Sequence, residues 1–183
     1  ATASVDYTSI IWNAETGANI HTLTGHTGYV NALSWSPDGS RLATASNDST
    51  TIIWEAATGA KIHTLVGHTF YVNAVSWSPD GSRLATGSVD KTAIIWDATT
   101  GVKKYTLSGH KSQVFALSWS PDGSRVATAS YDLTAIIWDA VTGANIHILY
   151  GHTFYVTSVS WSPDGSRIAT ASDDSTAKVW YIT

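Results

Sequence analysis

Cysteine and methionine are both absent from the 183 residues. Without cysteine there is no disulfide and no thiolate metal site, so packing and hydrogen bonds must hold the fold. That composition suits a reducing compartment, and no secretory signal is visible, so a cytoplasmic location is expected. The missing initiator methionine points to a processed or trimmed chain. Charged residues make up only 13% of the chain, the net charge is −4, and the basic side chains are dispersed. A nucleic-acid surface needs a clustered basic stripe, so nucleic acid is not an expected partner. Apolar runs are short, far below the roughly 20 residues of a membrane helix, so no membrane span is expected. Proline occurs four times. Convincing helical periodicity is missing throughout. Against these absences, 43% of the residues are hydrophobic, and nine are tryptophan. That is enough apolar material for a substantial core and too much for a disordered chain.

The landmarks recur every 42 residues. Gly-His appears at Gly25-His26, Gly67-His68, Gly109-His110 and Gly151-His152. Trp-Ser-Pro-Asp-Gly begins at Trp35, Trp77, Trp119 and Trp161, which accounts for every proline. Asp6, Asp48, Asp90, Asp132 and Asp174 are each followed six residues later by a tryptophan: Trp12, Trp54, Trp96, Trp138 and Trp180. A period of this length means stacked copies of one supersecondary unit, each burying its apolar faces against its neighbours.

Within residues 25–66, Tyr29–Trp35 alternates as a strand, with Val30, Leu33 and Trp35 as candidate core and a slip near Asn31 that a β-bulge would produce. Ser36-Pro37-Asp38-Gly39 carries turn chemistry: proline presets φ, aspartate bonds its own backbone, and glycine accepts positive φ. Arg41–Ser46 is a second strand. Asn47-Asp48-Ser49 turns into a β-branched third strand, Thr50–Trp54. Ala57-Thr58-Gly59 turns again into a fourth, Lys61–Val66. Four short antiparallel strands per unit, with turn signals every 8–12 residues, describe a propeller blade. The fold class is therefore all-β.

These residues resemble the WD-repeat (WD40) β-propeller family over the whole chain. The name-giving dipeptide stands as Trp96-Asp97 and Trp138-Asp139, and becomes Trp54-Glu55, Trp12-Asn13 and Trp180-Tyr181 elsewhere. The resemblance implies a buried hydrogen-bonded chain of four side chains per repeat. The matching sets are His26, Thr44, Asp48, Trp54; His68, Thr86, Asp90, Trp96; His110, Thr128, Asp132, Trp138; and His152, Thr170, Asp174, Trp180. The chemistry suits this: indole donates, threonine accepts and donates onward, and imidazole bridges to an ionised carboxylate.

The resemblance also implies partner contacts on the face that holds the fourth-to-first-strand loop and the second-to-third-strand turn. The matching positions are Tyr29, Asn31 and Asn47; Tyr71, Asn73 and Val89; Gln113, Phe115 and Tyr131; and Tyr155, Thr157 and Asp173. Phe70 and Phe154 precede two of these. Exposed aromatic residues on a rigid rim are typical interface anchors; the plainer alternative is that they cap the blade ends.

Other readings fare worse. Asp, His and Thr in one set resemble a hydrolase triad, but the same trio sits in every unit and is tied to a tryptophan donor each time. The pairs His21/His26, His63/His68 and His147/His152 would need convergence to hold a metal; the second histidine of each is already assigned, and Tyr105 replaces the first in another copy. No metal, cofactor or catalytic residue is expected. Recurrent Ser-Pro suits a hairpin turn better than phosphorylation, and the single sequon at Asn47 lies inside a turn.

Read by strands, the chain holds a partial blade lacking its inner strand (1–24), full repeats at 25–66, 67–108 and 109–150, and a partial repeat lacking its outer strand (151–183). That is about four and a half blades. An open arc exposes apolar faces and an unpaired edge. A homodimer closing one ring is therefore expected, eight blades being favoured over nine, with Asn19–Thr24 of one copy pairing Thr176–Tyr181 of the other and residues 1–14 packing elsewhere. The rival is a fragment of a longer propeller. The function expected is a non-catalytic interaction scaffold, with a protein or peptide partner on the rim, or a designed or recently amplified repeat with no specific ligand. The alternative is an enzyme or small-ligand propeller using a central channel.

Overall fold

The computed structural model describes residues 1–182. Among the described residues eighteen strands make five antiparallel sheets, each built from neighbours in sequence. The first sheet holds β1 (Thr2–Ala3), β2 (Thr8–Trp12) and β3 (Asn19–Thr24). The second holds β4 (Val30–Trp35), β5 (Arg41–Ser46), β6 (Thr50–Glu55) and β7 (Lys61–Val66). The third holds β8 (Val72–Trp77), β9 (Arg83–Ser88), β10 (Thr92–Asp97) and β11 (Lys103–Ser108). The fourth holds β12 (Val114–Trp119), β13 (Arg125–Ser130), β14 (Ala135–Asp139) and β15 (Asn145–Leu149). The fifth holds β16 (Val156–Trp161), β17 (Arg167–Ser172) and β18 (Ala177–Tyr181). Successive inner strands β4, β8, β12 and β16 lie side by side, so the sheets stack into an open arc of propeller blades.

The slip near Asn31 is a bulge: Val30 pairs Ser46 and Ala32 pairs Ala45, leaving Asn31 unopposed. It recurs between Val72 and Ala74, Val114 and Ala116, and Val156 and Ser158. A second irregularity lies on the outer strands. Ile53 pairs His63 while Trp54 pairs Lys61, so Ile62 drops out of register and is exposed. The Ser-Pro-Asp-Gly turn closes through Gly39 N donating to Ser36 O at 2.9 Å, with Gly39 at φ 71°. Its serine is a turn residue whose hydroxyl donates to Asp38 Oδ1 at 2.6 Å.

The core lies between sheets. Ala43, Ala45 and Ile53 of the second sheet meet Val72, Trp77, Leu84, Ile94 and Trp96 of the third, and the pattern repeats at the next seams. The candidate core of β4 needs correction. Val30 is buried and Leu33 partly so, but Trp35 is 38% exposed, against 6% for Trp77 and Trp119. Each of those two lies on the inner strand of the preceding sheet, donating its indole N–H to Ser34 O or Ser76 O at 3.0 Å. The first sheet has no such strand. Residues 1–12 also depart from the expectation that they pack elsewhere. β1 and β2 stay paired in sequence with β3, Val30 N donates to Ser4 O at 3.0 Å, and Ile11 joins Leu23 against Leu42, Ile52 and Trp54.

Candidate functional site: buried relays and an aromatic rim

Four side-chain relays run from the interior of a sheet to its rim. In the second sheet Trp54 Nε1 donates to Thr44 Oγ1 at 2.8 Å, Thr44 Oγ1 lies 2.8 Å from His26 Nε2, and His26 Nδ1 lies 2.7 Å from Asp48 Oδ2. A carboxylate only accepts, so Nδ1 carries the hydrogen and Nε2 takes the threonine proton. The other acceptor near that hydroxyl, Ile52 O, is 3.5 Å away and loses the competition. The third sheet repeats the relay through Trp96, Thr86, His68 and Asp90 at 2.8–2.9 Å. The fourth does so through Trp138, Thr128, His110 and Asp132, all at 2.8 Å. The fifth links Trp180, Thr170, His152 and Asp174. The first sheet keeps the two ends of the relay, Trp12 Nε1 donating to Thr2 Oγ1 at 2.9 Å and Thr8 Oγ1 donating to Asp6 Oδ1 at 2.7 Å.

The aspartate ends of these relays are heavily donated to. Asp48 receives, besides His26, Thr50 Oγ1 at 2.6 Å, Thr50 N at 2.9 Å and Thr27 N at 3.0 Å. Burial of Asp90 and Asp132 disfavours their charge, but the imidazole, threonine hydroxyl and backbone donors outweigh it, and both carboxyls lie far below the ordinary range. Asp174 is held low chiefly by Thr176, and Asp48 is lowered in the same sense once Thr50, Thr27 and His26 overcome burial.

The order hydroxyl, imidazole, carboxylate is that of a hydrolase triad. Two facts set these trios apart from an exposed nucleophile. Thr44, Thr86 and Thr128 are wholly buried, and each hydroxyl oxygen already accepts an indole N–H while its proton faces histidine Nε2. The paired histidines diverge likewise: His21 Nε2 meets Ala57 O at 3.0 Å and His63 Nε2 meets Thr99 O at 2.9 Å, each on the next sheet. The glycine of Gly-His also has a packing reason, since a Cβ at Gly67 would stand 2.8 Å from Trp96 Cη2.

At the rim the positions fall into four local groups. Asn31 Nδ2 donates to Asn47 Oδ1 at 2.7 Å and to Val72 O at 2.9 Å, crossing to the next sheet. Tyr71 packs on Phe70 with ring centroids 4.3 Å apart, while Asn73 and Val89 are half-buried. Phe115 stacks on Tyr131 at 5.1 Å, and Tyr131 stacks on Tyr155 at 4.3 Å across the seam between the fourth and fifth sheets. Phe154 leans on Tyr155 at 4.5 Å. Tyr29 meets Tyr7, a rim residue that sequence reasoning passed over, at 5.8 Å. Gln113 and Thr157 are half-buried and Asp173 is exposed; the carbonyls of Gln113 and Tyr155 receive the N–H of Tyr131 and Asp173.

The family model described as WD domain, G-beta repeat matches residues 17–55, 59–97, 101–139 and 143–181, most of the chain. The chain belongs to the WD40 family. Each WD40 repeat straddles two sheets: 17–55 takes in β3 of the first sheet and β4, β5 and β6 of the second. Every repeat thus contributes the outer strand of the sheet before it, which ties neighbouring sheets covalently. Among curated proteins the chain is similar to Ribosome assembly protein 4 of Chaetomium thermophilum, 52% identical over 42 residues, which cover 23% of this chain and 8% of the relative. The protein of the same name from Saccharomyces cerevisiae is 45% identical over 42 residues, with the same shares. Coronin-7 of Mus musculus is 46% identical over 43 residues, 24% of this chain and 5% of the relative. The likeness is thus one WD40 repeat long, under a tenth of each relative's length. WD40 repeats build protein-interaction scaffolds, and this chain has that architecture. Among the described residues no helix is long and apolar enough to cross a membrane.

Proposed function

We propose that this protein is a non-catalytic interaction scaffold whose partner-binding surface is the rim carrying Tyr29, Tyr71, Phe115, Tyr131 and Tyr155. One observation carries the reading: the relays consume the hydroxyl, imidazole and carboxylate groups internally, while Tyr29, Tyr71, Phe115 and Tyr155 stand exposed on the sheet ends and Tyr131 is half-buried between two of them. A rigid frame with exposed rings suits binding with little change of shape. Changing Tyr29, Tyr71 and Tyr155 together to alanine tests it. Affinity for a partner captured by the unaltered protein should fall at least tenfold, and unchanged affinity overturns the rim assignment.

A second reading concerns assembly. On the fifth sheet Ala169, Ala171 and Ala177 are exposed and Val179 is 60% exposed, whereas the matching Ala127, Ala129, Ala135 and Ile137 of the fourth are at most 2% exposed. At the other end Trp12 is 39% exposed, against 2% or less for Trp54, Trp96 and Trp138. The two open faces are opposite halves of the seam already formed between internal sheets. Two copies joined head to tail would cover them, a heterologous contact that closes on itself. A monomeric mass by light scattering at micromolar concentration overturns this.

A further inference from the structure

The repeat itself separates frame from function. At the first-strand and turn positions, the second sheet places Asn31 and Asn47, which hydrogen-bond to each other. The fourth sheet places Phe115 and Tyr131 there instead, and these two rings stack. The column continues across the seam, with Tyr131 and Tyr155 nearly parallel at 9°. Phe115, Tyr155 and Phe154 are 39%, 37% and 47% exposed, so three rings present surface to solvent. Asp173 is exposed beside the column, its backbone N–H donating to Tyr155 O at 3.0 Å.

The charge of this face is one-sided. Its loops and turns carry six aspartates (Asp6, Asp48, Asp90, Asp132, Asp173 and Asp174) against two lysines (Lys91 and Lys111). All four arginines open second strands at the opposite end of the sheets. An electron-rich ring face and an exposed carboxylate both favour a cation, and a planar guanidinium uses both. From this geometry we infer that the Phe115–Tyr131–Tyr155 column and Asp173 form a seat for an arginine side chain of an extended peptide partner. The inference rests on the rim reading above and names the chemistry the rim selects.

The probe is a nine-residue Gly/Ser peptide carrying two arginines, with a citrulline isostere that keeps shape and loses charge, each titrated calorimetrically into the full chain. The arginine peptide should bind about tenfold more tightly than the citrulline peptide, and increasingly weakly as salt rises. Phe115→Leu, which keeps apolar volume and removes the ring, and Asp173→Asn should each lower affinity about fivefold. Asp80→Asn, on the opposite end, should leave it unchanged. Melting curves establish that each variant is folded. Equal binding of the two peptides, no saturable binding, or full affinity in folded Phe115→Leu overturns the arginine seat. The triple tyrosine variant judges the rim separately: if it loses a protein partner while the arginine probe fails, the rim stands and only the chemistry assigned to it falls.

Discussion

At Thr86 a single hydroxyl accepts the Trp96 indole N–H and donates to His68, all three groups being shielded from water. Thr86→Val keeps the shape and removes both bonds, leaving two buried polar groups unpaired. We expect a loss of about 1–3 kcal/mol in urea unfolding. Thr170→Val should cost less, because Trp180 on the terminal sheet is only half-buried and water replaces its partner. Residue 133 shows the opposite situation. Leu133 occupies the left-handed region at φ 71°, as Tyr7, Ser49, Lys91 and Ser175 do in the matching turns. The conformation suits glycine, and a Cβ there is penalised. Leu133→Gly should raise stability by about 1 kcal/mol, the relief outweighing the added freedom of the unfolded chain.

Two glycines on neighbouring elements have similarly little room and should behave differently. A Cβ at Gly87 in β9 would stand 2.7 Å from Val114 Cγ1. The equivalent strands carry Ala45 and Ala129 at that place against Val72 and Val156, both seams fully packed. A small shift of Val114 therefore suffices, and Gly87→Ala should cost less than about 1 kcal/mol. Gly67 faces the flat edge of a buried indole with no room to turn, and every repeat keeps glycine there. Gly67→Ala should cost about 1–3 kcal/mol. The hairpin turns set the acid response. Serine hydroxyls and N–H groups hold Asp38, Asp80, Asp122 and Asp164 down to about 2, and the relay aspartates are lowered too. Folded values below the unfolded 3.8 mean that this stabilisation is complete above about pH 4 and is lost as pH falls through 2. The melting temperature should drop over that window, and Asp80→Asn should flatten the slope.

For the molecule as a whole, the surface that stabilises the internal seams is also the face left open at each end, and the proposed assembly would use it. Val179→Lys places a charge on that face without touching an internal seam. If two copies join head to tail as proposed, this variant should have the mass of one chain in solution while the far-ultraviolet β signature persists. Loss of the β signature would mean that the terminal sheet depends on its own edge more than on a neighbour. Internal seams are cross-linked besides being packed: Arg41 and Arg83 reach Ala98 O at 3.0 Å and Ala140 O at 2.9 Å on the following sheets, and lie over Trp77 and Trp119.

Strand positions, turn chemistry, the bulge at Asn31 and the repeat period were legible in the sequence because each is local: alternation, proline, glycine and spacing act within a few residues. The membership of the relays came from the WD40 resemblance, carried onto residues that the repeat places 18–22 apart in the same way four times. The exposure of Trp35, the pairing of β1 and β2 with β3, the Arg–carbonyl links and the ring column at Phe115, Tyr131 and Tyr155 carry no such mark. They belong to contacts between one sheet and the next, where partners are set by stacking. The amino-acid order alone determined how each blade is drawn; the tertiary structure alone decided what stands across each seam, because burial and side-chain stacking depend on a neighbouring surface that no single repeat contains.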